Sequence, residues 1–270
     1  MTMLQPFQFA HHFRLAQEFL SACCSELALH DLEVNPSLEL ARATQLYPYY
    51  DQDQQRIYLN LIDPMDPLWK LRALGMMAFW GFSDEEADLF LDYWWLQLRY
   101  TVAHELGHHL RDHYGRIDMR NPWNEEQIAN RFASALTRKQ FTPTEIERFC
   151  GYLRHHFEGL APKIDGNALS IYGHLHYPLH SMGLIDDATF AAVLSDEMQG
   201  DPADVLGNMV GLAPEVAELV MLRHPLIARF NKTYTANPVE YTYYHSAWVY
   251  YELSNAECFA LDALACAYLQ

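Results

Sequence analysis

The chain is short of positive charge. Of its 270 residues only 18 are lysine or arginine, against 35 aspartate or glutamate, for a formal net charge of −17. Nucleic-acid binding needs clustered cations to neutralise phosphates, so this composition argues against a DNA or RNA partner. An acidic surface repels anionic lipid as well, and attracts basic partners. Cysteine is scarce: Cys23, Cys24, Cys150, Cys258 and Cys266 form no CxxC pair, and their number is odd. That pattern predicts reduced thiols, with Cys258 and Cys266 packed as small hydrophobes on a helix. Long apolar runs are missing too. The most hydrophobic stretch, LGMMAFWGF at 74–82, is far too short to span a bilayer. The opening residues MTMLQPFQFAHHFRLAQ lack the basic start and continuous apolar run of a secretory signal. No internal repeat or low-complexity linker interrupts the chain. Together these absences predict a soluble, cytoplasmic protein with no membrane partner.

What the chain has is apolar and aromatic residues, at 50% and 14% of the total, enough for a large core. Residues 7–29 carry Phe13, Leu15, Phe19, Leu20 and Leu27 at helical spacing. The period changes in TQLYPYYDQDQQRIYLNLID, 44–63, where Tyr49-Tyr50, a polar turn at Asp51–Gln55 and an alternating RIYLNLI read as a β-hairpin. Pro48 marks its first strand as an edge strand or as the site of a bulge. Asp63-Pro64 and Asp66-Pro67 end the hairpin and start a helix near Leu68. Ser83 and Glu86 have capping-box spacing ahead of a long helix to about His113, with Leu91, Trp95, Leu98, Val102, Leu106 and Leu110 as one buried stripe and Gly115 as its stop. DYWW at 92–95 reads as core packing between helices. Further helices are expected at about 123–139, 143–159, 187–198, 202–209, 214–223 and 243–268, with loop at 161–183. The expected fold class is α+β, mostly α, with the hairpin packed on the long helix. The expected organisation is a core at 1–140 and a helical region at 141–270 to which the sequence assigns no role, a lid over the cleft and a partner-binding surface being the alternatives.

The long helix contains TVAHELGHHL, 101–110. His104 and His108 are four residues apart, so both imidazoles project from one face, about a turn apart. Two ring nitrogens so placed can bind one Zn²⁺, and Glu105, beside the first ligand, can serve as general base without binding the metal. The bland alternative is a helix rich in histidine. A catalytic zinc needs a third protein ligand. Glu126, in NEEQIANRFASAL, is eighteen residues past His108, and Asn130 one turn later could hold a histidine N–H. Glu126 could equally be a solvated acid at a helix start. Glu125 would serve if the register slipped, and Glu257, in the last expected helix, is a third candidate. A metzincin site is excluded, because it needs a histidine where Tyr114 stands.

These two segments carry a resemblance. LRYTVAHELGHHL followed by EEQIANRFASAL is similar to the ImmA/IrrE-type zinc metallopeptidases, which show R-[FY]-T-x-AHELGH and then E-x-x-AN-x-FA. Arg99, Tyr100, Thr101, Ala103, His104, Glu105, Leu106, Gly107 and His108 match the first pattern, and Glu126, Ala129, Asn130, Phe132 and Ala133 the second. The likeness covers about residues 45–140 and implies a zincin-like core. It also implies one Zn²⁺ per chain on His104, His108 and Glu126, with Glu105 as general base. It implies as substrate a basic intracellular protein such as a DNA-binding repressor. The chain departs from the family pattern at Leu136-Thr137-Arg138-Lys139, where the second helix usually stops, and 141–270 match nothing familiar.

Peptide hydrolysis also needs an oxyanion donor. Tyr244 and His245, in VEYTYYHSAW with Tyr241 and Tyr243, are the candidates, with His224 as another. His109 and His113 share a different face of the helix and read as structural or as outer supports of the metal ligands, with Asp112 as an outer partner. His174, His176 and His180, in GHLHYPLH, could hold a second metal, though their spacing fits no known template. Two competing functions remain. Glu105 and His108 form an E-x-x-H pair of the kind used by di-iron oxidases, but no second such pair follows. A non-catalytic partner-binding protein with a relict site, of phage-defence or toxin–antitoxin type, would keep its function without Glu105.

Overall fold

The structure is a computed structural model. It describes residues 4, 5, 9, 11–43, 48–80, 82–118, 122–160, 246, 249, 250, 252–254 and 260–270. They are mostly helical, with one small sheet: α1 (His12–Ala28), β1 (Glu39–Arg42), β2 (Tyr49–Asp51), β3 (Arg56–Leu59), α2 (Trp69–Phe79), a short 3₁₀ turn (Asp84–Glu86), α3 (Ala87–His113), α4 (Pro122–Gln140), α5 (Pro143–Leu160) and a C-terminal α6 (Leu261–Tyr268). No helix among the described residues is long and apolar enough to cross a membrane.

The expected hairpin is β2 and β3, antiparallel, with Tyr49 opposite Tyr58. Their rings stack 4.7 Å apart, the kind of cross-strand pair that stabilises a short ribbon. Gln55 closes the turn with φ of 53°, and β2 is at the edge that Pro48 marks. The sheet has a third strand, β1, which pairs in parallel with β3 and makes β3 central. The proline-rich connection is built on aspartates. Asp63 Oδ1 accepts the Met65 N–H at 2.9 Å, and Asp66 Oδ1 the Leu68 N–H at 2.8 Å, which launches α2. Ser83 N–H donates to Glu86 Oε2 at 2.8 Å, the reaching-back half of the capping box. At the far end of α3, Gly115 has φ of +63°, the left-handed turn that ends the helix.

The buried residues of α3 are not confined to one stripe. Leu98, Val102, Leu106 and Leu110 are buried, but so are Phe90, Tyr93, Trp94, Leu96, Gln97 and Tyr100 on other faces. The physical reason is that α1, β2 and β3 all pack against this helix, so it is central rather than amphipathic. Tyr93 of DYWW approaches Phe149 of α5, with ring centroids 6.2 Å apart. Arg99 joins α3 to α5 as well: it donates to Glu145 at 2.5 Å, and its guanidinium lies 3.8 Å from the Phe141 ring centroid. Cys23 is buried, but Cys266, on α6, is exposed rather than packed. The packed face of α6 is Leu261, Leu264 and Ala265. Cys258 and the helices expected at 187–198, 202–209 and 214–223 lie outside the described residues.

The chain divides into two compact units. One comprises Met1–Ile117, Ile128–Phe149 and Phe259–Gln270, and holds the sheet, α1, α2, α3, α4 from Ile128 onward, the start of α5, and α6. The other comprises Asp118–Gln127 and Cys150–Cys258. In it Leu153, His156, Ser246, Val249, Glu252 and Leu253 are buried.

Candidate metal centre

α3 and α4 cross at small residues. A Cβ built on Gly107 would stand 3.0 Å from Ala129 Cα and 3.1 Å from Ala129 O. Only a glycine lets the two backbones approach this closely, and Ala129 is the smallest side chain that can meet it. The contact brings the polar face of α3 onto α4 within the first unit. His104 Nδ1 lies 2.8 Å from Asn130 Oδ1. An amide oxygen only accepts, so the ring proton is assigned to Nδ1, and Nε2 is the acceptor nitrogen, turned toward His108. Asn130 is itself held: Tyr100 O–H lies 3.2 Å from both its Oδ1 and its backbone carbonyl, and Ser134 Oγ is 3.4 Å from the same phenol.

His108 completes the pair. Its Nε2 lies 3.2 Å from His104 Nε2, with the two rings nearly perpendicular. Two nitrogens bound to one tetrahedral zinc at about 2.0–2.1 Å stand roughly 3.3 Å apart. The pair therefore already has the spacing that one ion requires. α4 is one continuous helix, and Glu126 stands on it one turn before Asn130. His104, His108 and Glu126 each offer a ligand atom, and these atoms all lie within 4.8 Å of one another. Two imidazoles and one carboxylate are a donor set that fits zinc and the three-ligand count of catalytic sites. Glu125 is engaged differently. Its Oε1 accepts the Asp118 N–H at 2.9 Å, and the side chain is buried. Glu105, next to His104, is buried at 5% exposure.

The second histidine pair of α3 is committed elsewhere. His109 Nε2 accepts the Asn35 N–H at 3.2 Å, and Nδ1 lies 3.2 Å from Tyr50 Oη. Tyr50 O–H donates to Asp112 Oδ2 at 2.8 Å, and Gln52 and Gln55 also donate to that carboxylate. Burial pushes His109 down to about 4, His113 adds to the shift, and Asp112 opposes it. This network fastens α3 to the sheet. Tyr241, Tyr243, Tyr244, His245, His224, Glu257, His174, His176 and His180 lie outside the described residues. Sequence reasoning did not single out Tyr100 or Ser134 as supports of Asn130. Both were findable, since Tyr100 precedes His104 by four residues and Ser134 follows Asn130 by four.

Compared with protein-family models, with curated proteins and with solved structures, the chain matches none.

Proposed function

We propose that this protein is a zinc-dependent metallopeptidase with a zincin-like core of the ImmA/IrrE type. The observation that carries the reading is the convergence of His104 Nε2 and His108 Nε2 at 3.2 Å, with a Glu126 carboxylate oxygen in the same cluster. His104, His108 and Glu126 would hold the ion, and Asn130 orients the His104 ring from behind. Zinc at such a centre supplies Lewis-acid polarisation of a carbonyl and acidification of water. Glu105 is the general base: its carboxylate takes the proton of the attacking water and returns it to the leaving amine. The substrate class that suits a chain of net charge −17 is a basic intracellular protein, such as a DNA-binding regulator.

Elemental analysis of untagged protein tests the centre. About one zinc per chain is expected in the wild type and in Glu105→Gln, and none in Glu126→Ala. Glu105→Gln is then expected to abolish cleavage in a panel of basic proteins while the metal stays bound. Two irons per chain would turn the assignment to an oxidase. No metal after zinc is supplied would reduce the motif to a histidine-rich helix.

A further inference from the structure

Two buried arginines, one on each helix of the centre, converge on one residue of the C-terminal segment. Arg111 of α3 donates from Nη1 to the Tyr268 backbone carbonyl at 2.7 Å. Arg131 of α4 donates from Nη1 to the Tyr268 phenol oxygen, and its guanidinium lies 5.6 Å from that ring's centroid. Each arginine is 6% exposed. A cation at that depth must be met by acceptors, and Tyr268 supplies one to each arginine. Their places in sequence matter. Arg111 follows His108 by three residues, and Arg131 directly follows Asn130.

Two helices that touch backbone to backbone at one point can still rock about it. Gly107 against Ala129 is such a point. Arg111 lies four residues beyond Gly107, roughly 6 Å along the helix axis. Tyr100, seven residues before Gly107, ties α3 to α4 through Asn130 and Ser134, and a tie at Arg111 holds the other side of the pivot. We propose that Tyr268 is a positioning residue of the metal centre: by joining Arg111 to Arg131 it sets the rotation of α4 against α3, and with it the grip of Asn130 on His104. This rests on the zinc reading above. α6 is thereby a tuning element for metal affinity, acting without contact to the ion or to substrate.

The test is Tyr268→Phe, which removes the hydroxyl and keeps the ring and the backbone carbonyl. Zinc affinity is measured by competition with a chromogenic chelator, at a temperature where far-ultraviolet circular dichroism shows both proteins folded. The visible bands of the cobalt-substituted protein report ligand geometry. Zinc binding is expected to weaken by roughly 3- to 10-fold, less than the roughly 10- to 100-fold typical when a ligand's direct partner is lost. The cobalt bands are expected to shift as well. Arg131→Lys keeps the charge but loses the fork, and is expected to act in the same direction. It stands in for Tyr268→Phe if that variant does not fold. Wild-type affinity and an unchanged cobalt spectrum would overturn the proposal and leave the zinc centre standing, even if the melting temperature fell. A wild-type protein that binds neither zinc nor cobalt would overturn both.

Discussion

α3 carries two histidine pairs of identical spacing, and they have different fates. His104 and His108 meet at 3.2 Å through their Nε2 atoms, and Asn130 occupies the far side of the first ring. His109 and His113 are also four residues apart, with ring centroids 6.1 Å apart and the rings close to parallel. Both nitrogens of His109 are spent on Asn35 and Tyr50. The difference lies in the partner on the far nitrogen. With Asn130 behind it, the His104 ring turns Nε2 toward a second imidazole nitrogen, a potential co-ligand; the His109 nitrogens meet a backbone N–H and a phenol from other elements, which makes that histidine a brace. Spacing alone does not separate the two cases, because all four residues share one helix and adjacent turns.

The comparison breaks most decisively at the histidines themselves. His108→Ala is expected to drop zinc from about one per chain to near zero, since two remaining ligands do not make a catalytic site. His109→Gln is expected to keep the full stoichiometry and to lose about 1–3 kcal/mol of stability, as the Asn35 and Tyr50 contacts are disturbed. Elemental analysis together with urea unfolding reads both. Equal loss of zinc in the two variants would sink the division of labour.

Gly107→Ala probes the crossing that makes the first pair possible. In an ordinary helix interior this change stabilises by about 1 kcal/mol through propensity. Here the new methyl would lie 3.0 Å from a backbone carbon that cannot turn aside. The expected sign is therefore reversed, to a loss of about 1–3 kcal/mol, with weakened zinc binding. A more stable variant with intact zinc would show that α3 and α4 have room to separate.

The smallest effect concerns the histidines at the two ends of α1. His12 stacks on Trp95 and meets the edge of Phe9, and burial first, then His11, pushes it down to about 4. Its folded value lies below its unfolded one, so its contribution is complete above about pH 6.5 and is lost as the pH falls toward 4. His30 behaves in the opposite way. Asp262 at 2.7 Å, helped by Glu26, raises it against the opposing effect of burial. Its contribution is therefore present at low pH and fades as the pH rises through the raised value. Unfolding midpoints measured from pH 4 to 8 on the apoprotein check the signs: His12→Phe is expected to flatten the acid limb, and His30→Gln the neutral one.

Much of this was legible in the sequence because it is local. The hairpin, the Ser83–Glu86 box, the Gly115 stop and the spans of α4 and α5 follow from spacings of two, three or four residues and from turn chemistry. His104, His108, Glu126 and Asn130 could be nominated in the same way, each from a partner four residues along its own helix. What escaped depends on distant chain. β1 is four residues long and makes sense only once Glu39 faces Arg56 across the sheet. The all-round burial of α3 depends on α1 and the sheet arriving from different sides. The ties from Arg111 and Arg131 to Tyr268 span more than 130 residues of sequence, and no periodicity announces them.

The spacing of the ligands along the chain has a mechanical meaning. An ion held by His108 and Glu126 would be a crosslink closing a loop of eighteen residues. By loop-closure entropy, a link of that span stabilises the folded chain by about 3 kcal/mol, as a disulfide of equal reach would. In a chain whose cysteines of the described region are all free, a metal centre made of α3 and α4 would serve as its staple as well as its reaction centre.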